Sequence, residues 1–393
     1  MNVAVAIAED GLSARAGRVA AVAGQFADAV DAEGRFPHEA VEALRKERLL
    51  SIQIPRDLGG EGASITVIAE LCSILGQACA ATAMVFAMHQ IKLSSLVEHG
   101  ADSEWHRGFM RRIAAEQLLL ASATTEGGIG GNLRNSICAI VVEGDRCRLE
   151  KDATVISYGA HADAILITSR SHPDAAPSDQ VLTVFLKSQY SLSRTAEWNT
   201  LGMRGTCSDG FLFKGEAPAE QILPKPFAEI AAQSMLATSH LLWSGVWYGI
   251  AADAVGRAQA FVRAAARKSP GAPPPGALRL AEVSSLLQVV KSNVVAGLKA
   301  YEEAKADADR LSSMAFAVAM NNVKIASSEM ILPIINHAML ICGILGYKNG
   351  TPYSLGRHLR DAHSAQLMIS NDRILGHTST MLLVHKQDTS LLG

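Results

Sequence analysis

Few side chains in this chain are equipped for chemistry, and most of those sit in apolar surroundings. His89 lies within the run 86–95 (FAMHQIKLSS). A lone imidazole there is either a hydrogen-bonded core residue or a catalytic proton carrier. Near the other end, residues 357–383 read as one helix start followed by a long helix, with Leu367, Met368, Ile374, Leu375, Met381 and Leu382 recurring at the helical period. The pair Asp372–Arg373 interrupts that stripe. Asp372 is therefore either a solvated or helix-capping acid, or a buried carboxylate whose pKa dry surroundings would raise into the range of a useful base. His363 and His377 fall about four turns apart on such a helix, on one face but too far apart to share a small site. The glycine-rich stretch 124–132 (TTEGGIGGN) can bring bare backbone against a cofactor. It fits neither GxGxxG, since Leu133 stands where the last glycine belongs, nor a P-loop, since no GK[ST] follows.

The elements that must position these groups change character twice along the chain. Residues 10–50 alternate charge and alanine at helical spacing, and 36–39 (FPHE) reads as a helix start with proline in its first turn. A glycine turn follows at 54–62 (IPRDLGGEG), and residues 65–99 are apolar enough to form buried helices. From about 118 the runs 137–143, 146–150, 164–170, 181–187 and 210–214 are short, β-branched or aromatic, and bounded by turn residues. Their spacing predicts an antiparallel barrel or sandwich rather than βαβ units. The helical pattern returns near 226 and is broken by 269–276 (SPGAPPPG). The expected fold class is α+β: an N-terminal helical domain (1–118), a central antiparallel β-barrel domain (119–225) and a C-terminal helical bundle (226–393).

A chain of 393 residues suits two or three packed subdomains. A net charge of −2 argues against a nucleic-acid partner. An apolar content of 49% with few aromatics points to a helix-rich protein with large buried interfaces and to a homo-oligomer. Cys72, Cys79, Cys138, Cys147, Cys207 and Cys342 form no CxxC and no zinc-type spacing. They read as free thiols in a reducing, cytoplasmic compartment, with no metal site. The N-terminal residues lack a basic-then-apolar signal pattern. The uncharged run 230–252 is long enough to span a bilayer. Its Gln233, Ser234, Thr238, Ser239 and His240 favour a buried or subunit-facing helix, hence no membrane.

The helical–β–helical order carries a set of short motifs: IPRDLGGEG (54–62), TTEGG (124–128), VISYG (155–159), LGMRGT (201–206), ARKSPG (266–271), CGILGY (342–347) and RDA (360–362). In that order, over about residues 36–383, they resemble the acyl-CoA dehydrogenase superfamily. The resemblance implies a central β barrel and a C-terminal four-helix bundle, usually in a tetramer. FAD would lie between them, its adenosine end reaching a neighbouring subunit. It implies flavin contacts for Thr125 and Glu126. Ser157 stands for the threonine of the family's W-I-T-N-G, whose hydroxyl can hydrogen-bond flavin N5, the hydride acceptor. Val155 replaces the aromatic residue that shields the flavin face. Arg267 and Gly271 match the ends of R-x-x-F-G, with Pro270 in the phenylalanine place. Arg267 would pair with the pyrophosphate, or else is a solvated helix-end cation. Of Q-x-x-G-G-x-G-Y the chain keeps Gly343, Gly346 and Tyr347, with Leu340 and Ile344 as departures, which leaves FMN beside FAD as a cofactor.

The largest departure concerns the base. In most family dehydrogenases a glutamate nine residues after the arginine of RDA removes the α proton of an acyl thioester while hydride leaves Cβ for N5. Here that position is Ile369, and the alternative stretch VRAAARKS carries no acid. Asp372, one turn further on the expected helix, is the replacement. The first expectation is thus a flavin oxidoreductase acting on an acyl thioester and passing electrons to an electron-transfer flavoprotein. The second is a two-component flavin monooxygenase, a branch that lacks the glutamate, takes reduced flavin from a partner flavin reductase and uses O2. The segment 198–206 (WNTLGMRGT) resembles that branch, and Ser157, His89, His161 and His363 would supply its polar groups. The third is a flavin-binding homologue without turnover.

Overall fold

The computed structural model of the protein describes residues 11–129, 132–268, 271, 273–386 and 390. Among the described residues, five helices come first: α1 (Leu12–Glu33), α2 (His38–Lys46), α3 (Ile65–Ala78), α4 (Ala80–His99) and α5 (Glu104–Glu116). The Ser64 and Ser103 hydroxyls cap α3 and α5 by accepting the N–H of Val67 and His106. Helix α4 is buried on almost every side, so it shows no amphipathic stripe and forms the central post of this half.

Seven strands follow: β1 (Leu120–Ala123), β2 (Val141–Glu143), β3 (Arg146–Ala153), β4 (Ala164–Arg170), β5 (Gln180–Leu186), β6 (Tyr190–Ala196) and β7 (Gly210–Pro218). They form two open sheets, ordered β1-β4-β5 and β2-β3-β7-β6. The fold is α+β as expected, but the closed antiparallel barrel is not present. The strand β1 runs parallel to β4, with Leu120 opposite Ala164. It enters the sheet straight from α5 and packs on α4, so a helix covers the sheet where barrel closure would need another strand. The strand β6 is an edge strand with mostly exposed side chains, which hides it from a pattern reading.

A π-helical turn, Ala231–Met235, leads into α6 (Leu236–Lys268), followed by α7 (Ala277–Ala304) and α8 (Met314–Cys342). Helix α6 packs on α3, α7 and α8. A Cβ on Gly249 would fall 2.3 Å from the Ser73 carbonyl oxygen, so α6 and α3 cross at backbone contact. The uncharged run 230–252 is thus core, and residues 237–247 are buried throughout. Among the described residues, α8 is the one helix long and apolar enough to cross a membrane. All six cysteines are free thiols.

The long final helix is a correction. Residues 356–382 form three pieces, α9 (Gly356–Ala362), α10 (Ser364–Leu367) and α11 (Asn371–Leu382). Between the last two, Ile369 has φ +50°, a conformation a β-branched residue rarely adopts. The cause lies on α8. Lys324 is fully buried, and its ammonium donates to the carbonyls of Ala365 (3.0 Å) and Ile369 (2.8 Å) and to Asn371 Oδ1 (2.5 Å). It also lies 5.6 Å from the Trp247 ring centre. Carbonyls freed from a continuous helix are thus gathered by one cation.

Candidate functional site

A cavity of about 650 Å³ opens between the face of the β region, α4, the start of α6 and the broken C-terminal segment. Met84, Met88, Ile91 and Lys92 line it from α4, and Met235, Leu236, Ser239 and Trp243 from the π turn and α6. The β region contributes Thr125, Val155, Ser157, Tyr158, Trp198 and the loop 200–208 in part. Residues 367–370 close it with Arg360, His363, Ser364 and Arg373. No aspartate or glutamate lines it among the described residues.

Several contacts hold this wall in place. The Met203 N–H donates to Asp361 Oδ1 at 2.6 Å, joining the LGMRGT and RDA motifs. A Cβ on Gly202 would meet the Arg360 carbonyl oxygen at 2.2 Å, so this loop docks on α9 only with glycine there. Burial pushes Asp361 up to about 6 although the Met203 N–H and the Arg357 guanidinium oppose the shift. Tyr158 donates its hydroxyl to the Leu120 carbonyl at 2.9 Å, and the Trp198 indole donates to the Met203 carbonyl at 3.1 Å. Tyr158, Met203 and Ile369, all on the cavity wall, have positive φ. Strain concentrated at one site is a mark of function.

A line of hydroxyls reaches the cavity through the β region. Thr206 Oγ1 lies 2.9 Å from Ser208 Oγ, and Ser208 donates to Ser157 Oγ at 2.8 Å. The Ser157 proton is left for an acceptor inside the cavity. A flavin ring fits this wall: Ser157 offers a hydroxyl donor for N5, and Val155 and the Trp198 ring offer apolar surface on the same wall.

The residues singled out in the sequence divide between wall and scaffold. Ser157, Thr125 and His363 line the cavity. The Thr125 hydroxyl is spent on the Val155 carbonyl at 3.1 Å, whereas the exposed His363 imidazole has no hydrogen bond among the described residues. Glu126 lies behind the wall. Its carboxylate accepts from the N–H of Ile137 (2.9 Å) and Cys138 (2.6 Å) and from the Ser136 hydroxyl (2.9 Å), with the Lys151 ammonium 3.7 Å away. Burial works to raise its pKa, yet these donors hold it below the usual carboxylate range. Glu126 therefore clamps the glycine-rich loop rather than facing a cofactor.

His89 is a bridge in the core. It donates through Nε2 to the Leu50 carbonyl at 2.6 Å and accepts the Leu120 N–H on Nδ1 at 3.0 Å, and burial pushes it down to about 4. With both nitrogens engaged it has no proton to exchange with the cavity. Asp372 is exposed in the first turn of α11 and is not on the cavity wall. The break at Ile369 removes the shared helical face that put it beside the family's glutamate position. His377 contacts Arg134, and His161 stacks on Phe36 at 4.2 Å, both off the wall. Arg267 is exposed at the end of α6, so in one protomer it does not reach the cavity. Gly343 and Gly346, at the end of α8 and in the short helix Ile344–Tyr347, also lie off the wall. Pro270 falls outside the described residues.

Two wall residues escaped the sequence reading. Lys92 reaches the cavity from α4, and Trp243 from α6, its indole N–H without an acceptor. The signal for Lys92 was a single cation in the apolar run that drew notice for His89.

Comparison with known proteins places this architecture. Residues 14–143 match the family model "Acyl-CoA dehydrogenase, N-terminal domain" and residues 230–369 match "Acyl-CoA dehydrogenase, C-terminal domain". The chain is 28% identical over 196 residues to cyclohex-1-ene-1-carbonyl-CoA dehydrogenase of Geobacter metallireducens (strain ATCC 53774 / DSM 7210 / GS-15), a match spanning 49% of this chain and 51% of that protein. It is 24% identical over 354 residues to the amino sugar nitrososynthase DnmZ of Streptomyces peucetius, covering 86% of this chain and 84% of that one. In fold it is similar to the FMN-bound structure of the dibenzothiophene monooxygenase TdsC of Paenibacillus sp. A11-2. The TM-score is 0.83 at 18% identity, over 96% of this chain and 98% of that one. The chain belongs to the acyl-CoA dehydrogenase superfamily and is one of its flavin-dependent oxidoreductases.

Proposed function

We propose that the protein is a flavin-dependent monooxygenase, receiving reduced flavin from a separate reductase and spending it on O2 and a small substrate. One observation carries this reading. Among the described residues, the cavity wall offers hydroxyls, a free imidazole and cations but no carboxylate. Acyl-thioester dehydrogenation needs a base strong enough to take an α proton in concert with hydride departure. Ile369, on the wall at the family's glutamate position, cannot supply it, and Asp372 is exposed to water. The likeness to the curated acyl-CoA dehydrogenase is the support for the thioester reading, and it does not provide the missing group.

The bound flavin, FAD or FMN, would supply the two electrons that reduce one oxygen atom to water while the other enters the substrate. The chain's own residues do the rest. Ser157, its oxygen fed by Ser208, holds its proton toward the flavin edge. Trp198, Val155 and the methionines of α4 exclude bulk water. The His363 imidazole, at the mouth between α9 and α10, can carry a proton between solvent and cavity. Arg267 would reach the flavin phosphates only from a neighbouring subunit, as the family resemblance implies.

The test supplies the protein with reduced flavin through a reductase and 18O2, against a panel of amines, sulfides and phenols. One labelled oxygen in a product is expected. Quantitative release of hydrogen peroxide with every member of the panel would contradict the reading.

A further inference from the structure

We infer that the α4–α6 end of the cavity binds the anionic oxygen of an amphiphilic substrate, a carboxylate or phenolate on an apolar body, through the Lys92 ammonium. The inference deepens the monooxygenase reading and takes its cavity as the substrate site.

Lys92 is only 5% exposed, and its Nζ has one neighbour within hydrogen-bonding reach, the Met235 sulfur at 3.0 Å. A thioether is a weak acceptor and carries no charge. Ser239, the α6 hydroxyl residue on this wall, spends its proton on the Met235 carbonyl at 2.5 Å. Met84, Met88, Ile91 and Leu236 complete an apolar collar. A buried ammonium on a cavity wall with no oxygen partner is costly to retain unless a ligand completes it.

The other buried lysines show how unusual this is. Lys324 has three oxygen acceptors. Lys151 donates to the Thr168 carbonyl at 2.7 Å, lies 3.3 Å from its hydroxyl and sits near Glu126. Lys92 alone among the three faces a cavity with nothing of the protein's own to neutralise it. Burial, the sole cause, pushes its ammonium down to about 7. An anion gains more than a neutral acceptor here, because Coulomb attraction rises as water is excluded. The cavity as a whole carries Lys92, Arg360 and Arg373 and no acid, and Arg360 is already paired with Asp31. A single cation inside an apolar collar selects a ligand that is mostly hydrocarbon with one charged end.

The test is calorimetric titration of the flavin-loaded protein with benzoate against benzamide and hexanoate against hexanamide, at about pH 6.5, where Lys92 holds its proton. The acids are expected to bind about tenfold tighter than their amides or better. Lys92→Met, which fills the same volume, should erase the preference. Equal affinity for acid and amide in the wild-type protein, no binding of either acid, or a preference that survives Lys92→Met would each overturn the inference. So would a loss of flavin affinity in Lys92→Met with no acid preference in the wild type, since it would assign the lysine to an oxyanion of the cofactor. Binding needs no turnover, so the two proposals fail separately. Acid preference without oxygen insertion discards only the monooxygenase reading, and oxygen insertion without acid preference discards only this one.

Discussion

The ammonium of Lys324 lies 2.8 Å from the carbonyl oxygen of Ile369, and this contact fixes the geometry of the cavity's C-terminal wall. It holds the chain in the positive-φ turn that ends α10 and starts α11. It therefore puts Ile369 on the wall and sends Asp372 out to solvent. Replacing Lys324 by methionine leaves two carbonyls and the Asn371 amide oxygen without their shared donor. A loss of roughly 2–4 kcal/mol is expected in urea unfolding. Amide exchange across 365–372 should also accelerate well before global unfolding.

Asp372 should be dispensable. Its carboxylate sits in the first turn of α11, where it only complements the helix dipole. Asp372→Asn is expected to leave turnover within about twofold and to cost no more than about 1 kcal/mol of stability. A loss of activity by orders of magnitude, measured with the wild-type substrate, would return it to the role of base.

The buried histidines set an acid limit. Burial pushes His89, His106 and His240 each down to about 4. An unfolded histidine titrates near 6.5. Between those values the unfolded chain takes up protons that the folded chain refuses, so stability falls as pH drops from about 6.5 toward 4 and is unaffected by these groups above that window. Unfolding free energies measured in urea across it should decline by roughly 1–3 kcal/mol per histidine. His89→Phe should cost about 2–3 kcal/mol at neutral pH, by stranding the Leu50 carbonyl and the Leu120 N–H, and should flatten part of that slope.

Ser157 is a wall hydroxyl with a proton to spare. Ser157→Ala should leave the fold intact, because the Ser208 hydroxyl can turn to Thr206, 2.9 Å away. Oxygen insertion should fall by about a hundredfold, with the reducing equivalents appearing as peroxide. Ser157→Thr should restore much of the coupling. Parallel assays of product and peroxide decide it.

The sequence reading reached the order of the chain and missed what long-range contacts decide. Helix α3 and the strands β3, β4 and β5 announce themselves by apolar runs and turn residues. The parallel strand β1 is short and follows a helix directly, and β6 is an edge strand with mostly exposed side chains, so neither carries a strand signature. The final helix looked continuous because its apolar residues keep the helical period. The interruption is imposed from α8 by Lys324, some forty residues away in sequence. Ser157, Thr125 and His363 were legible from motif position. His89 and Glu126 stand in motifs too, yet what they do is set by backbone groups they meet only after folding. Lys92 belongs to no motif, and its significance lies in the absence of an oxygen partner, which only the packed structure displays.

The most direct measurement is an anaerobic titration of the purified, flavin-loaded protein with acyl-CoAs of short to long chain, following the visible absorbance of the flavin. A wall without a carboxylate predicts that none of them bleaches it. Rapid bleaching by any one would contradict the account, because it would require a base that Ile369 and the exposed Asp372 cannot be.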